Sequence, residues 1–287
     1  MKKIIVTGAN GQLGRAINLE YAGNTDVQLV NTDVGNPDIT ELDITNIDKV
    51  MSFVREVKPD AIINCAAHTN VDACETQEDL AFKINAIGPR NLAIASAEVG
   101  AQLMHISTDY VFDGHGTSPY REYDKTGPAS VYGATKLAGE EMVRQFADKF
   151  YIVRTAWLYG DGKNFARTML RLATDHDEIK VVNDQVGSPT SAYELAKAIK
   201  SLVFTDNYGI FHGTCEGDCA WSDFATEVLR LAGSSTKIIP ITSEEYGAPA
   251  NRPHYSILDN YMLRLTGAYT FAHWQDAIAL YMRDELK

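Results

Sequence analysis

A chain of 287 residues with 45% hydrophobic and 22% charged residues can bury a large core, and its net charge of −12 argues against a nucleic-acid partner. No apolar run reaches membrane-span length, and Ile4, Ile5 and Val6 behind two lysines are too short for a secretion-signal core. Cys65, Cys74, Cys215 and Cys219 lack zinc or CxxC spacing, so free thiols in a reducing cytoplasm are expected.

The first half alternates strand and helix patterns. KIIVTG (3–8) reads as a buried strand and GQLGRAINLEYA (11–22) as the helix behind it. VQLVNTD (27–33) is a second strand, followed by a helix over 46–57 with Ile47, Val50, Met51 and Val54 at helical spacing. DAIINCAA (60–67) is a third strand, residues 79–100 a long helix interrupted at Gly88-Pro89, and QLMHISTD (102–109) a fourth strand. A helix over 131–147 and a strand over 150–160 continue the series. The expected fold is α/β, a Rossmann-type doubly wound parallel sheet.

Beyond residue 160 the pattern loosens. Helices are expected over 164–175, 191–204 and 220–233, and strands over 179–184 and 208–215. The expected division is a dinucleotide-binding domain over 1–160 and a smaller α/β substrate lobe over 161–287, with the chain free to cross between them.

TGANGQLG places Gly8, Gly11 and Gly14 at three-residue spacing between a strand and a helix. Glycines allow a tight turn and close backbone approach, and a helix N-terminus suits a pyrophosphate. The spacing is GxxGxxG rather than GxGxxG, and a ligand-free turn is the competing reading. Asp33 ends the second strand, where a carboxylate can accept from an adenosine ribose and would favour NADH, or can simply serve the turn before Gly35. Asp43-Ile44 could cover the adenine. Ala66-Ala67 leave room for a cofactor, or for tight packing.

Tyr and Lys four residues apart occur three times: Tyr132/Lys136, Tyr159/Lys163 and Tyr193/Lys197. Gly160 and Gly162 make a helical turn unlikely for the second pair. The third sits on a helix with no polar strand end assigned beside it. The first begins the helix after a strand ending in Ser107, Thr108 and Asp109, at the sheet edge where ligands bind. A phenol, an ammonium and a hydroxyl would converge there. The ammonium is expected to draw the phenol's pKa down, and the hydroxyl to fix a carbonyl oxygen.

The chain resembles the extended short-chain dehydrogenase/reductase family, through TGANGQLG, LDIT (42–45), NCAAHTNVD (64–72), INAIGPRNLA (84–93), ISTDYVFDG (106–114), YGATKLAGE (132–140), RTAWLYG (154–160), VVNDQVGSPT (181–190) and RPHYS (252–256). Within it, the motifs are those of the branch that reduces nucleotide sugars. The resemblance implies Thr108, Tyr132 and Lys136 as the catalytic set. It places Gly11, Gln12, Leu13, Asp33, Asp43, Ile44, Ala67, His68 and Thr69 around NADPH or NADH, and Asp109 and Trp157 at the sugar. The implied reaction reduces the C4 ketone of a dTDP-4-keto-6-deoxy sugar, dTDP-4-dehydro-6-deoxy-L-mannose. Arg252 is a candidate for the substrate diphosphate, because a guanidinium fork suits phosphate oxygens.

Some members of the family are magnesium-bridged dimers with a glutamate where this chain has Ala16, and Glu194 and Glu285 leave the ligand set incomplete. No metal is expected, and a monomer or homodimer is. Two alternatives stay open. One is an epimerase or dehydratase of the same family, though a dehydratase would want an acid–base carboxylate pair after the threonine, where Asp109-Tyr110 stands. A non-catalytic subunit, like the regulatory subunit of methionine adenosyltransferase, would not need the intact Thr/Tyr/Lys set.

Overall fold

The computed structural model describes residues 1–285. The first half runs β1 (Lys2–Thr7), α1 (Gln12–Glu20), β2 (Val27–Asp33), β3 (Thr40–Glu41), α2 (Ile47–Val57) and β4 (Ala61–Asn64). Two short helices follow, α3 (Val71–Cys74) and α4 (Glu78–Phe82), then a π-helical turn (Lys83–Ile87), α5 (Gly88–Val99), β5 (Gln102–Thr108), α6 (Val131–Phe146) and β6 (Phe150–Thr155). The second half holds β7 (Leu158–Tyr159), α7 (Phe165–Leu172), β8 (Glu178–Val182), β9 (Val186–Gly187), β10 (Thr190–Ser191), α8 (Ala192–Leu202) and β11 (Gly209–His212). It ends with β12 (Cys219–Ala220), α9 (Trp221–Leu231), β13 (Lys237–Ile241), α10 (Ser243–Tyr246), α11 (Tyr261–Thr266) and α12 (Trp274–Glu285).

Polar side chains set several helix starts. Asn46 accepts from the amide of Lys49 to cap α2, Ser130 from that of Gly133 to cap α6, and Asn164 from that of Arg167 to cap α7. The main sheet has seven strands in the order β3-β2-β1-β4-β5-β6-β11, all parallel. Both faces are covered. Ile4 and Val6 of β1 join the core formed with α1 and α8, while Ile5 joins the core formed with α2, α5 and α6. That alternation is the period of a strand buried on both sides. The strand order reverses between β1 and β4, which opens a crevice at their carboxyl ends. The last strand, β11, comes from the second half, so the chain returns to the sheet after leaving it at residue 155.

Two local expectations are corrected. The helix over 79–100 does not break at Gly88-Pro89. Pro89 has no N–H to give to the carbonyl of Asn85, and the backbone passes this point through the π-helical turn, which keeps the axis continuous. The strand over 150–160 does break: β6 stops at Thr155, Trp157 takes a φ of +48°, and β7 pairs with β10 instead of the main sheet.

Candidate active site

The crevice at the switch point is a cleft of about 880 Å³, walled by the glycine turn, the ends of β2, β4, β5 and β6, the start of α6 and a few residues of the second half. Gly8 has a φ of +64°, and a Cβ there would lie 2.7 Å from the amide nitrogen of Ala66. A Cβ on Gly14 would lie 2.5 Å from Ala9 Cα and from the Gly8 carbonyl oxygen. These glycines therefore first serve backbone-on-backbone packing, which brings β1, β4 and the start of α1 together. Gly8, Gly11, Gln12, Leu13 and Gly14 all line the cleft, so the free amides at the start of α1 stand at its wall.

Asp33 lines the cleft at the end of β2. Its carboxylate also serves the turn, accepting from the amides of Asn10 at 2.9 Å and Val34 at 2.8 Å. Asp43 and Ile44 line the same end, and Asp43 Oδ1 accepts from both the amide and the hydroxyl of Thr45. Ala66, Ala67 and Thr69 line the next stretch, but His68 does not. The His68 ring turns toward Cys74 and Gln77, while Asn85 holds its backbone on both sides.

Thr108, Asp109, Tyr132 and Lys136 meet at the centre of the cleft. Thr108 Oγ1 donates to Asp109 Oδ1 at 2.8 Å. Burial pushes the Asp109 carboxyl up to about 7, against the pull of the Thr108 bond. The Tyr132 ring meets Tyr110 edge to face, with centroids 5.3 Å apart. Lys136 is 2% exposed, and its Nζ donates to the carbonyl of Ile106 at 2.6 Å. Burial lowers its pKa to about 8, opposed by Glu140 and Cys65.

The expected depression of the Tyr132 pKa does not occur. Burial raises it well above the usual tyrosine value, and only the Thr108 hydroxyl beside it pulls it back. Burial of the phenol outweighs every other influence, and the Lys136 ammonium, which donates to the Ile106 carbonyl, does not offset it. Tyr132 is consequently a protonated phenol at neutral pH, the form a proton donor must have.

Behind Lys136 lies a buried ion pair. Glu140, one turn further along α6, receives Arg154 Nε at 2.9 Å, Arg154 Nη2 at 2.7 Å and the Ser107 hydroxyl at 2.5 Å. It thus secures the residue between Ile106, which holds Lys136, and Thr108.

The other two Tyr–Lys pairs do not form such a centre. Tyr159 is buried against Phe224 and Tyr281, its hydroxyl without a partner among the described residues. Lys163 nevertheless lines the cleft from the far side. Tyr193 and Lys197 lie on α8 outside the cleft, with Lys197 paired to Glu194. Trp157 lines the cleft. Arg252 does not: it forms a bidentate pair with Asp72, at 2.8 and 3.0 Å. Sequence reasoning missed Arg15, Tyr110, Lys163 and Trp221 on the wall. Of these, only Tyr110, beside the Ser-Thr-Asp strand end, carried a local signal.

The buried side-chain oxygens Gln12 Oε1 and Thr155 Oγ1 have no partner among the described residues, and both residues line the cleft. Unpartnered buried polar atoms of this kind fit a polar ligand. No group of three His, Cys, Asp or Glu residues that could hold a metal exists among the described residues. Glu194 is engaged by Lys197 and Tyr269, and Glu285 by Arg167. No helix among the described residues is long and apolar enough to cross a membrane.

Sheet order, glycine turn and cleft together define a Rossmann-type dinucleotide-binding fold. The chain belongs to the RmlD substrate binding domain family, whose model matches residues 1–286. A solved dTDP-4-dehydrorhamnose reductase from Clostridium acetobutylicum is 52% identical, covering 99% of this chain and 100% of its own, with a TM-score of 0.95. The dTDP-4-dehydrorhamnose reductase of Bacillus anthracis, solved in complex with NADP, is 43% identical over 99% of this chain and 100% of its own, with a TM-score of 0.94. A dTDP-4-dehydrorhamnose reductase of Streptomyces griseus is 43% identical over 96% of this chain and 91% of its own.

Proposed function

We propose that the chain is an NAD(P)H-dependent reductase that converts the C4 ketone of dTDP-4-dehydrorhamnose to the alcohol of dTDP-L-rhamnose. The observation that carries the reading is the meeting of Thr108, Tyr132 and Lys136 in one cleft with the glycine turn, in a chain closely similar over its full length to reductases of that name. The two lobes divide the work, with residues 1–160 mainly holding the cofactor and 161–287 mainly the nucleotide sugar.

Gly8, Gly11, Gln12, Leu13 and Gly14 would hold the cofactor pyrophosphate, Asp33 the adenosine ribose, Asp43 and Ile44 the adenine, and Ala66, Ala67, Thr69 and Lys136 the remainder. A reduced nicotinamide supplies hydride when bound there. The protein's own part is the proton. Tyr132 gives its phenolic proton to the C4 oxygen as charge builds on it, and the Thr108 hydroxyl orients that oxygen. Lys136, charged below about pH 8 and one turn along α6 from Tyr132, would hold the nicotinamide ribose. Asp109, which shares the Thr108 hydroxyl, and Trp157 face the sugar. Arg252 stays with Asp72 in this reading, and the diphosphate charge falls to other groups.

The reading takes the protein as a monomer or a homodimer without a metal bridge, since Glu194 and Glu285 are already engaged by Lys197, Tyr269 and Arg167. The acidic net charge disfavours a nucleic-acid partner, and four free cysteines suit a reducing cytoplasm as the site of action. The test is a coupled assay: dTDP-4-keto-6-deoxyglucose, its 3,5-epimerase, this protein and NADH or NADPH, with loss of the reduced cofactor's absorbance followed. Turnover with formation of dTDP-L-rhamnose supports the reading. A protein that binds both ligands without turnover is the non-catalytic subunit instead.

A further inference from the structure

Trp157 and Trp221 stack with ring centroids 3.6 Å apart and planes 7° from parallel. Both are partly exposed on the cleft wall. They come from distant stretches of chain, Trp157 from the break between β6 and β7 and Trp221 from the first turn of α9. The φ of +48° at Trp157 is one that a bulky side chain rarely takes, and it persists only where the surroundings over-determine it.

Three contacts do so. The Trp157 carbonyl accepts from the amide of Thr190 at 3.2 Å. Gly187 in β9 lies against the indole edge so closely that a Cβ would stand 2.6 Å from Cε2. Trp221 covers the ring, and is itself backed by Phe165 at 4.5 Å and Phe224 at 6.3 Å between centroids. Simple core packing would bury these indoles and leave the backbone relaxed. Here an aromatic ring is held, at a cost in backbone strain, on the wall of a cleft.

We infer that Trp221 is a substrate-positioning residue: stacked on Trp157, it fixes that indole as the apolar wall against which the deoxy sugar packs. This rests on the nucleotide-sugar reading above. A ring held in advance loses little freedom when the sugar arrives, and an aromatic face matches the C–H face of a 6-deoxy sugar. Its effect therefore belongs to the sugar nucleotide and not to the nicotinamide.

The experiment compares wild type with Trp221→Phe, Trp221→Ala and Gly187→Ala. The last keeps both indoles but pushes on the Trp157 edge and on Ser256 Oγ, each 2.6 Å from the added Cβ. Stacked indoles couple in the near-ultraviolet circular dichroism of the ligand-free protein, and Trp157→Phe and Trp221→Phe should each abolish that band. Trp221→Ala and Gly187→Ala should each raise KM for the sugar nucleotide by about tenfold, the scale of one aromatic contact. The kcat should fall less than KM rises, the Kd for NADPH should stay within about twofold, and Trp221→Phe should recover part of the loss. Unchanged KM in folded Trp221→Ala and Gly187→Ala overturns the inference, as does an equal loss of sugar and NADPH binding. Should Trp221→Ala not fold, Gly187→Ala and Trp221→Phe decide alone. Absence of wild-type turnover would instead strike the reductase reading, a result the variants do not produce.

Discussion

Replacing Arg154 by Met tests the buried pair that supports the catalytic centre. The Arg154 and Glu140 side chains are 3% and 2% exposed, and the guanidinium meets the carboxylate through two nitrogens. Arg154 also stacks over Phe112 at 5.1 Å and donates to the Glu122 carbonyl at 3.3 Å. Methionine keeps much of the stem's packing but leaves Glu140 with the Ser107 hydroxyl as its one hydrogen-bond donor, beside the Lys136 ammonium. Breaking a buried pair from one side costs about 3–5 kcal/mol, because the remaining charge is stranded in low dielectric. With roughly 2 °C of Tm per kcal/mol for a chain this long, Tm should fall by about 6–10 °C. The double variant Arg154→Met/Glu140→Leu removes both charges and should lie within about 2 kcal/mol of wild type. Urea unfolding at neutral pH measures both. A loss below about 1 kcal/mol for Arg154→Met, or a double variant as damaged as the single one, would refute the assignment of a desolvated pair.

Asp109→Asn keeps an acceptor for the Thr108 hydroxyl but removes a carboxyl whose pKa burial raises to about 7. Between about pH 4 and 7 the folded wild type binds more protons than the unfolded chain, so its stability falls as pH rises. The variant should be the more stable by a few kcal/mol at pH 8, with the advantage gone at pH 4; equal stability at both pH values would contradict this. Lys136, near 8 when folded, loses its charge above that pH, so kcat/KM should fall along a basic limb near pH 8. Lys136→Met should lower kcat and weaken NADPH binding together, and a Lys136→Met protein with an unaltered pH profile would exclude this role. Asp33→Ala should shift cofactor preference toward NADPH in steady-state kinetics, since a carboxylate repels a 2′-phosphate. An unchanged NADH/NADPH ratio would leave Asp33 to the turn, where it already accepts from Asn10 and Val34.

Much of the cofactor side was legible because the physics there is local. A glycine turn, an acidic strand end and a Ser-Thr-Asp edge each lie within a few residues of the strand that positions them. Tyr132 and Lys136 were separable from the other two pairs by the same logic, since Gly160 and Gly162 break the turn of the second pair and no polar strand end of the central sheet stands beside the third. The far wall was not legible. Trp221 and Lys163 reach the cleft through the packing of α9 and of the loop after β7, and no periodicity encodes that. Arg252 and His68 had suitable chemistry, but Asp72 engages one guanidinium and Cys74 and Gln77 receive the other ring. The direction of the Tyr132 pKa depended on the burial of the phenol, a three-dimensional fact with no trace in a four-residue spacing.

The measurement that bears most directly on the account is kcat for dTDP-4-dehydrorhamnose reduction in Tyr132→Phe, Tyr159→Phe and Tyr193→Phe, taken at saturating substrate and cofactor. Tyr132→Phe keeps the ring against Tyr110 and removes only the proton donor. Its kcat should fall by about a hundredfold to ten-thousandfold, with NADPH affinity retained. The other two should stay within about threefold of wild type, because Tyr159 and Tyr193 lie outside the cleft. Normal turnover by Tyr132→Phe, or loss of turnover in Tyr159→Phe or Tyr193→Phe alone, would contradict the placement of the proton donor and the mechanism built on it.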